Sequence, residues 1–140
     1  MQKNDFLLGI DPGSFKTGVA QVKPDGGVIS AVWVETKTLA VHLQRLCSER
    51  GLPQKVIIGN GTNTHPVHKV LEQIFTTVPV IEIDEKHSTE QARTLYWQLN
   101  KPQGWRKLLP EGLRVPPEPL DGYAAAVLVL RYLKQNAGRD

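Results

Sequence analysis

The chain has 140 residues, the size of one domain, and its 40% hydrophobic, 22% charged and 6% aromatic residues are ordinary for a globular protein. No apolar run approaches the ~18 residues of a membrane span, so we expect no membrane partner. The single cysteine (Cys47) excludes an internal disulfide, and the first residues do not form a signal peptide. We therefore expect a cytoplasmic protein. The 17 basic and 14 acidic residues leave a net charge of +3, which permits a polyanionic partner but does not require one.

Three strands are predicted at the start of the chain. The apolar run at residues 6–11 is stopped by Pro12 and Gly13, and residues 17–22 and 28–34 are separated by the turn sequence Lys-Pro-Asp-Gly-Gly. Short turns of this kind join antiparallel neighbours. The first third of the chain therefore predicts an antiparallel meander.

Helices and strands then alternate. A helix with apolar residues at helical spacing from Leu39 ends before Gly51, a strand is predicted at residues 55–59, and a second helix opens at His65. A fifth strand at residues 78–83 precedes a third helix, for which Ser88 and Gln91 form a capping-box pattern and which ends near Leu99.

The last part of the chain has two contrasting pieces. Residues 101–120, here called the proline-rich segment, carry five prolines and are predicted to be irregular, as a loop of this length is usually functional or mobile. The final helix begins near Asp121 and is apolar on nearly every face, which predicts that it lies within the core. Together the elements predict a single α/β domain over residues 1–140, with a five-stranded mixed sheet (antiparallel meander, then parallel strands) and helices on both faces, the arrangement of the ribonuclease H-like fold.

Four carboxylates fall at the ends of these elements. Asp11 ends the first strand, Asp84 and Glu85 follow the fifth, and Asp121 opens the last helix. Each has a plain structural alternative, since Asp often caps a turn and acidic residues are favoured at helix N-termini. Taken together, however, carboxylates that converge at one sheet edge repel each other unless a cation is present, and Mg²⁺ (or Mn²⁺) binds such oxygen ligands. The pattern favours a metal-dependent hydrolase of phosphodiester bonds.

Four segments resemble a known family. Residues 8–20 (LGIDPGSFKTGVA), 56–60 (VIIGN), 83–92 (IDEKHSTEQA) and 120–130 (LDGYAAAVLVL) resemble, in order and spacing, the motifs of the YqgF family and of the related RuvC-type Holliday-junction resolvases. The resemblance implies a ribonuclease H-like fold, with Asp11, Glu85 and Asp121 as catalytic, metal-binding carboxylates and Asp84 as an additional or substitute metal ligand. YqgF-like proteins are linked to nucleolytic maturation of the 16S ribosomal RNA precursor, whereas RuvC-like proteins cut four-way DNA junctions.

Two positions depart from the family patterns. Lys86 stands where YqgF proteins have Arg, which removes a forked phosphate donor, and Asn60 stands where resolvases of the RuvC type have a catalytic Glu. The second departure favours a YqgF-like nuclease. A DNA junction resolvase, which requires a dimer, and a catalytically silent nucleic-acid-binding module remain alternatives, and the sequence does not choose between a monomer and a homodimer.

Basic and aromatic residues around these motifs are candidates for nucleic-acid contacts. Lys16 lies in a polar turn beside Asp11, where backbone amides and its ammonium could hold a phosphate, although a tight hairpin explains the glycines equally well. Further candidates for contacts with backbone phosphates or bases are Lys86, Arg93 and, in the proline-rich segment, Trp105, Arg106 and Lys107. The alternatives are exposed charges on a helix and a solvated connector.

Overall fold

A computed structural model describes residues 5–61 and 64–137 of the chain. The strands are β1 (Leu7–Asp11), β2 (Lys16–Val22), β3 (Val28–Glu35), β4 (Val56–Gly59) and β5 (Val80–Ile83), and the helices are α1 (Leu39–Arg50), α2 (His65–Ile74), α3 (Ser88–Leu99) and α4 (Asp121–Gln135). Short 3₁₀ helices cover Thr36–Thr38, Gly104–Leu108 and Glu111–Leu113. No helix in these two ranges is long and apolar enough to cross a membrane.

The five strands form one mixed sheet in the order β3-β2-β1-β4-β5. β1 pairs antiparallel with β2, and β2 pairs antiparallel with β3, as the meander predicted. β4 pairs parallel with both β1 and β5, so the helices between these strands act as crossover connections. The predicted mixed sheet is therefore confirmed.

The sheet has helices on both faces, and alternate residues of β1 belong to different cores. Leu8 and Ile10 lie in the core formed with α1 and α2, whereas Leu7 lies in the core formed with α3 and α4. The second core is dominated by the small residues of α4, whose positions from Ala124 to Val129 are all buried. The prediction that this helix lies within the core is confirmed, and because side chains alternate along a strand, Asp11 projects toward the α4 face, like Leu7.

The local predictions that differ concern boundaries and caps. β5 begins at Val80 rather than residue 78. The capping box at Ser88 is wrong: Ser88 is already helical, and His87 precedes the helix with a φ of 65° and without a side-chain capping hydrogen bond. Asp121 is likewise the first helical residue rather than the cap, a position that Leu120 occupies. The proline-rich segment is less irregular than predicted, because two of the 3₁₀ helices lie within it.

Candidate active site at the carboxyl end of the central strands

Asp11 ends the central strand of the sheet. Its antiparallel partner across the ladder is Gly18, and the preceding residue, Ile10, pairs with Ile58, so Asp11 lies beside Gly59 on its other side. Both neighbours lack side chains. The carboxylate of Asp11 therefore stands between two gaps in the side-chain layer on the α4 face.

Glu85 fills one of these gaps. A Cβ atom at Gly59 would overlap the Oε1 atom of Glu85, so the glycine is what lets this carboxylate lie over the sheet. The backbone N–H of Glu85 donates to Oδ1 of Asn60 at 3.2 Å. Asn60 therefore anchors the turn that carries Glu85, at the position where the RuvC pattern places a carboxylate.

Asp121 fills the other gap through its main chain. A Cβ atom at Gly18 would overlap the carbonyl oxygen of Asp121 and also meet the backbone N of Gly122. The first turn of α4 thus lies directly over the strand residue that faces Asp11. We call Asp11, Glu85 and Asp121 the carboxylate rim.

The pKa of Asp11 shows that these acids interact. Burial, which is the largest cause, and the negative charges of Glu85 and Asp121 together raise it from the ordinary value of 3.8 to about 7. Residues separated by more than 100 positions in the chain are thus close enough for their charges to affect one another. The three carboxylates predicted to be catalytic are brought together at one edge of the sheet.

The donor set fits a hard divalent cation in its chemistry. Oε1 of Glu85 is buried and makes no hydrogen bond among the residues that the structure describes, and an unpartnered buried oxygen is costly unless something binds it. Carboxylate oxygens are also the preferred ligands of Mg²⁺. As the side chains stand, no group of three or more His, Cys, Asp or Glu residues within 5–61 and 64–137 is close enough to hold one ion.

Asp84 and Glu85 differ in how their carboxylates are used. Oδ1 of Asp84 accepts a hydrogen bond from the backbone N–H of Lys86 at 3.0 Å, and the residue is exposed. Glu85, by contrast, covers Gly59 and contributes to the raised pKa of Asp11. The structure therefore gives Asp84 a role in shaping the turn, and its service as a metal ligand stays a prediction.

Arg131 is a functional candidate that the sequence did not reveal. From α4 its guanidinium donates to the carbonyl oxygen of Asp84 at 2.6 Å, to that of Lys86, and to Oε1 of Gln91 at 2.9 Å. It therefore fixes the turn on both sides of Glu85. No local pattern could have shown this, because Arg131 lies more than 40 residues along the chain from that turn.

The predicted nucleic-acid contacts fall in two places. Lys16 begins β2 and lies two residues before Gly18, so it projects to the α4 face with the carboxylate rim. Lys86 is exposed in the turn after Glu85, and Arg93 is partly buried on α3. In the proline-rich segment, Trp105 is 64% exposed, the guanidinium of Arg106 lies 5.1 Å from its ring centroid, and Lys107 is exposed.

The proline-rich segment is attached to α3. The hydroxyl of Thr94 donates to Oε2 of Glu111 at 2.6 Å, and Nε of Arg114 donates to the carbonyl oxygens of Arg106 and Leu109 at 3.1 and 3.0 Å. The Arg114 guanidinium also lies 5.9 Å from the ring centroid of Trp97 on α3. Among the residues described, no hydrogen bond or ion pair joins Trp105, Arg106 or Lys107 to the carboxylate rim.

Known proteins resemble the chain in structure rather than in sequence. No family model matches it, and no curated protein sequence does. The solved structure of a Fowlpox virus resolvase with substrate Holliday junction DNA matches with a TM-score of 0.63 and 16% identity, over 94% of this chain and 99% of that one. T. thermophilus RuvC in complex with a Holliday junction substrate matches with a TM-score of 0.56 and 15% identity, over 93% and 95% of the two chains.

These similarities establish the fold. The chain has the ribonuclease H-like α/β fold that the order of its elements predicted. Of the two similar structures, one is RuvC and the other a viral resolvase, and each is in complex with Holliday junction DNA. At these identities the likeness concerns the path of the backbone, and assignment to the YqgF family remains a prediction from the motifs.

Proposed function

We propose that the protein is a metal-dependent nuclease that hydrolyses phosphodiester bonds in structured nucleic acid, with the carboxylate rim as its catalytic centre. The observation that carries the proposal is the gathering of Asp11, Glu85 and Asp121 at the end of the central strand, with one Glu85 oxygen buried and unpartnered. Three acids in such a place oppose a phosphodiester by themselves, so a cation has to accompany the substrate. The resolvases of similar fold, both determined with junction DNA, support the same class of substrate.

Asp11, Glu85 and Asp121 would hold Mg²⁺ or Mn²⁺. A divalent cation bound there would activate the attacking water and neutralise charge that develops on the phosphate. Because burial and the neighbouring acids raise its pKa to about 7, Asp11 holds a proton more tightly than an ordinary Asp, and this proton has to leave before the carboxylate can bind a cation. Glu85 contributes the oxygen that lacks a partner in the chain, and Asn60 and Arg131 hold its turn in place.

Two substrates follow from different observations. The motif at residues 83–92 and the Asn60 amide in the place of a resolvase carboxylate favour a YqgF-like activity on the 16S ribosomal RNA precursor. The structural similarity to resolvases favours branched DNA. We take the RNA precursor as the first candidate and the four-way junction as the second, in a protein of the cytoplasm.

A cleavage assay tests both. Labelled single-stranded RNA, duplex RNA, DNA flap and four-way junction substrates are incubated with the protein and Mg²⁺ or Mn²⁺, and the product ends are mapped. We expect cutting that leaves a 5′-phosphate and a 3′-hydroxyl, and we expect Asp11→Asn to lower the rate by more than the ~100-fold typical of losing an outer-shell partner of a metal site. Sedimentation shows whether the active species is the dimer that a junction resolvase needs.

Three results would count against the proposal. Unchanged turnover by Asp11→Asn would reject the carboxylate rim as the catalytic centre. A protein that binds these substrates without cleaving them, and for which Mn²⁺ has the same effect on the wild type and on Asp121→Asn, would instead be a silent nucleic-acid-binding module. Neither binding nor cleavage of any substrate would reject a role with nucleic acid altogether.

A further inference from the structure

Trp33 is an exposed aromatic residue in the same row of the sheet as Asp11. It pairs with Gly18 across the ladder of β2 and β3, and Gly18 pairs with Asp11 across the ladder of β1 and β2. Directly opposed residues of antiparallel strands project to the same face. Trp33 and Asp11 therefore share the α4 face, separated by two strand spacings, or roughly 10 Å.

Between these two residues lies the start of α4. The carbonyl oxygen of Asp121 occupies the space above Gly18, so Asp121 separates Trp33 from Asp11 in this row. Although α4 packs against β3, the Trp33 side chain remains 38% exposed. Trp33 thus lies on an edge strand beside the carboxylate rim, partly buried and partly accessible to a ligand.

Lys16 accompanies the ring. Its Nζ atom lies 5.0 Å from the centroid of Trp33, within the range of a cation–π interaction. Lys16 lies on the same face as Gly18 and makes no ion pair with any acidic residue in the described parts of the chain. An aromatic surface and an unpaired cation thus lie together on one side of a strongly acidic centre.

We propose that Trp33 and Lys16 form a nucleotide subsite that holds the substrate strand next to the scissile bond. An unpaired base stacks on the indole of Trp33, and the adjoining phosphate contacts the ammonium of Lys16. This inference rests on the proposed function, because it needs a phosphodiester at the carboxylate rim. Roughly 10 Å corresponds to about three stacked nucleotides at ~3.4 Å each, so one strand can reach both places.

The chemistry selects an unpaired strand over a duplex at this point. Stacking on an aromatic side chain needs a base with a free face, whereas the bases of a duplex are covered by their neighbours. Lys16 also offsets the repulsion between the strand's phosphates and the acidic residues. The subsite therefore favours substrates whose cleavage point lies within or next to single-stranded nucleotides.

Affinity measurements test the two residues separately. A short fluorescein-labelled oligothymidylate and its uridylate counterpart are titrated with the protein in CaCl₂, which limits cleavage. Trp33→Ala should raise Kd roughly 5- to 150-fold, the range of one base stacked on an aromatic side chain, while Trp33→Phe keeps most of the affinity. Val41→Ala, which removes part of an exposed apolar side chain on α1, is the matched control and should bind like the wild type.

Salt dependence tests the phosphate contact. Lys16→Ala should reduce the slope of log K against log salt concentration by about 0.7, the value for one phosphate of a single strand. Trp33→Ala should leave this slope unchanged. Circular dichroism melts of each variant show that it is folded. If the alanine variant is not, Trp33→Leu, which keeps an apolar side chain but has no ring on which a base can stack, should show the same loss of affinity.

An abasic scan locates the subsite on the strand. An abasic nucleotide is moved one position at a time away from the bond that the protein cleaves. Wild-type affinity should fall at one position within about three nucleotides of that bond, and Trp33→Ala should be insensitive to the same change. If Trp33 only supported the fold, its replacement would not change how the affinity depends on the base at that one position.

The failures of the two proposals can be told apart. Equal affinity of wild type, Trp33→Ala and Trp33→Phe in a protein that still cleaves would overturn the subsite and leave the nuclease intact. A wild-type protein that binds and cuts nothing overturns both. If the wild type binds but does not cut, the nuclease fails and the affinities of the variants alone decide the subsite.

Discussion

The carboxylate rim and the proline-rich segment meet at Asp121 but are held in place by different kinds of contact. Asp11 ends a strand that is paired on both sides, and Asp121 and Glu85 lie where the absence of a side chain at Gly18 and Gly59 leaves room for them. The proline-rich segment is held mainly by the side chains of Arg114 and Glu111. Asp11 and Asp121 lie on regular elements and Glu85 lies in a short turn braced by other side chains, while surface that can adapt to a partner lies on a loop.

Burial divides the two regions in the same way. The rim is partly buried, whereas the segment exposes large apolar side chains, including Leu108 at 85% and Val115 at 74%. Changes at the rim should therefore affect stability and chemistry together. Changes in the segment should affect local order and contacts with a partner, with little effect on the stability of the whole domain.

The largest effect is expected from the pH dependence of stability without metal. The folded pKa of Asp11 is about 7 against an ordinary 3.8, so between these values the native state binds the extra proton. The stability that it contributes is complete below about pH 4 and is lost as the pH rises through about 7. At 1.36 kcal/mol per pKa unit, a difference of about three units corresponds to a loss of about 4 kcal/mol. Chemical unfolding in EDTA across this range measures it, and Asp11→Asn should remove most of the slope; an equal slope in the variant would show that Asp11 is not desolvated.

The next largest effect is expected from alanine substitutions at two glycines, one beside the carboxylate rim and one in the proline-rich segment. At Gly18, a new Cβ atom would meet the main chain of α4, which cannot move aside as a side chain can, so Gly18→Ala should lower the free energy of unfolding by about 1–3 kcal/mol. Gly112, in the proline-rich segment, has open space around the same atom, and Gly112→Ala should stay within about 0.5 kcal/mol of the wild type. Urea unfolding compares them, and similar values for the two variants would contradict the close contact between α4 and β2.

A smaller effect, specific to the turn that carries Glu85, is expected from substitution of Arg131. Arg131→Gln removes the donors that fix the turn on both sides of Glu85, so the Mn²⁺ concentration needed for half-maximal cleavage should rise about 10- to 100-fold. Lys134→Gln, one turn further along α4 and exposed, is the control. If Arg131→Gln and the control respond to Mn²⁺ alike, the turn does not depend on this arginine.

The smallest effect is expected in the proline-rich segment itself. Arg114→Gln should lower the free energy of unfolding by only about 1 kcal/mol, because its hydrogen bonds to two carbonyl oxygens are partly buried and such bonds contribute little net stability. Cleavage of the segment by thermolysin should nevertheless become faster, since Arg114 connects two of its turns. Lys107→Gln serves as the control for loss of charge, and equal rates for both variants would show that Arg114 does not hold the segment.

Much of the rim could be predicted from the sequence, because the ends of buried strands can be recognised where apolar runs stop. Asp11 and Glu85 follow apolar runs, and parallel strands bring such ends to one edge. What could not be predicted depends on pairing between distant segments. The position of Trp33 follows from the register of an edge strand, and the contacts of Arg131 follow from how α4 crosses the turn after β5.

The local errors have a physical cause as well. Ser88 matches a capping pattern, but the left-handed backbone at His87 starts α3 in a different way. For the glycines of the first turn, sequence reasoning left open whether they serve a hairpin or a phosphate. At Gly18 the structure gives a third reason, the close approach of Asp121.

The topology also decides when the rim can exist during folding. The parallel pairing of β1 with β4 spans the whole of α1, and Asp121 arrives only with the final helix. Contacts between such distant segments form slowly, because each closes a long loop before it gains any stabilisation. A growing chain on the ribosome therefore carries Asp11 as an isolated acid through most of its synthesis, and the carboxylate rim on which the proposed function depends is complete only after α4 docks.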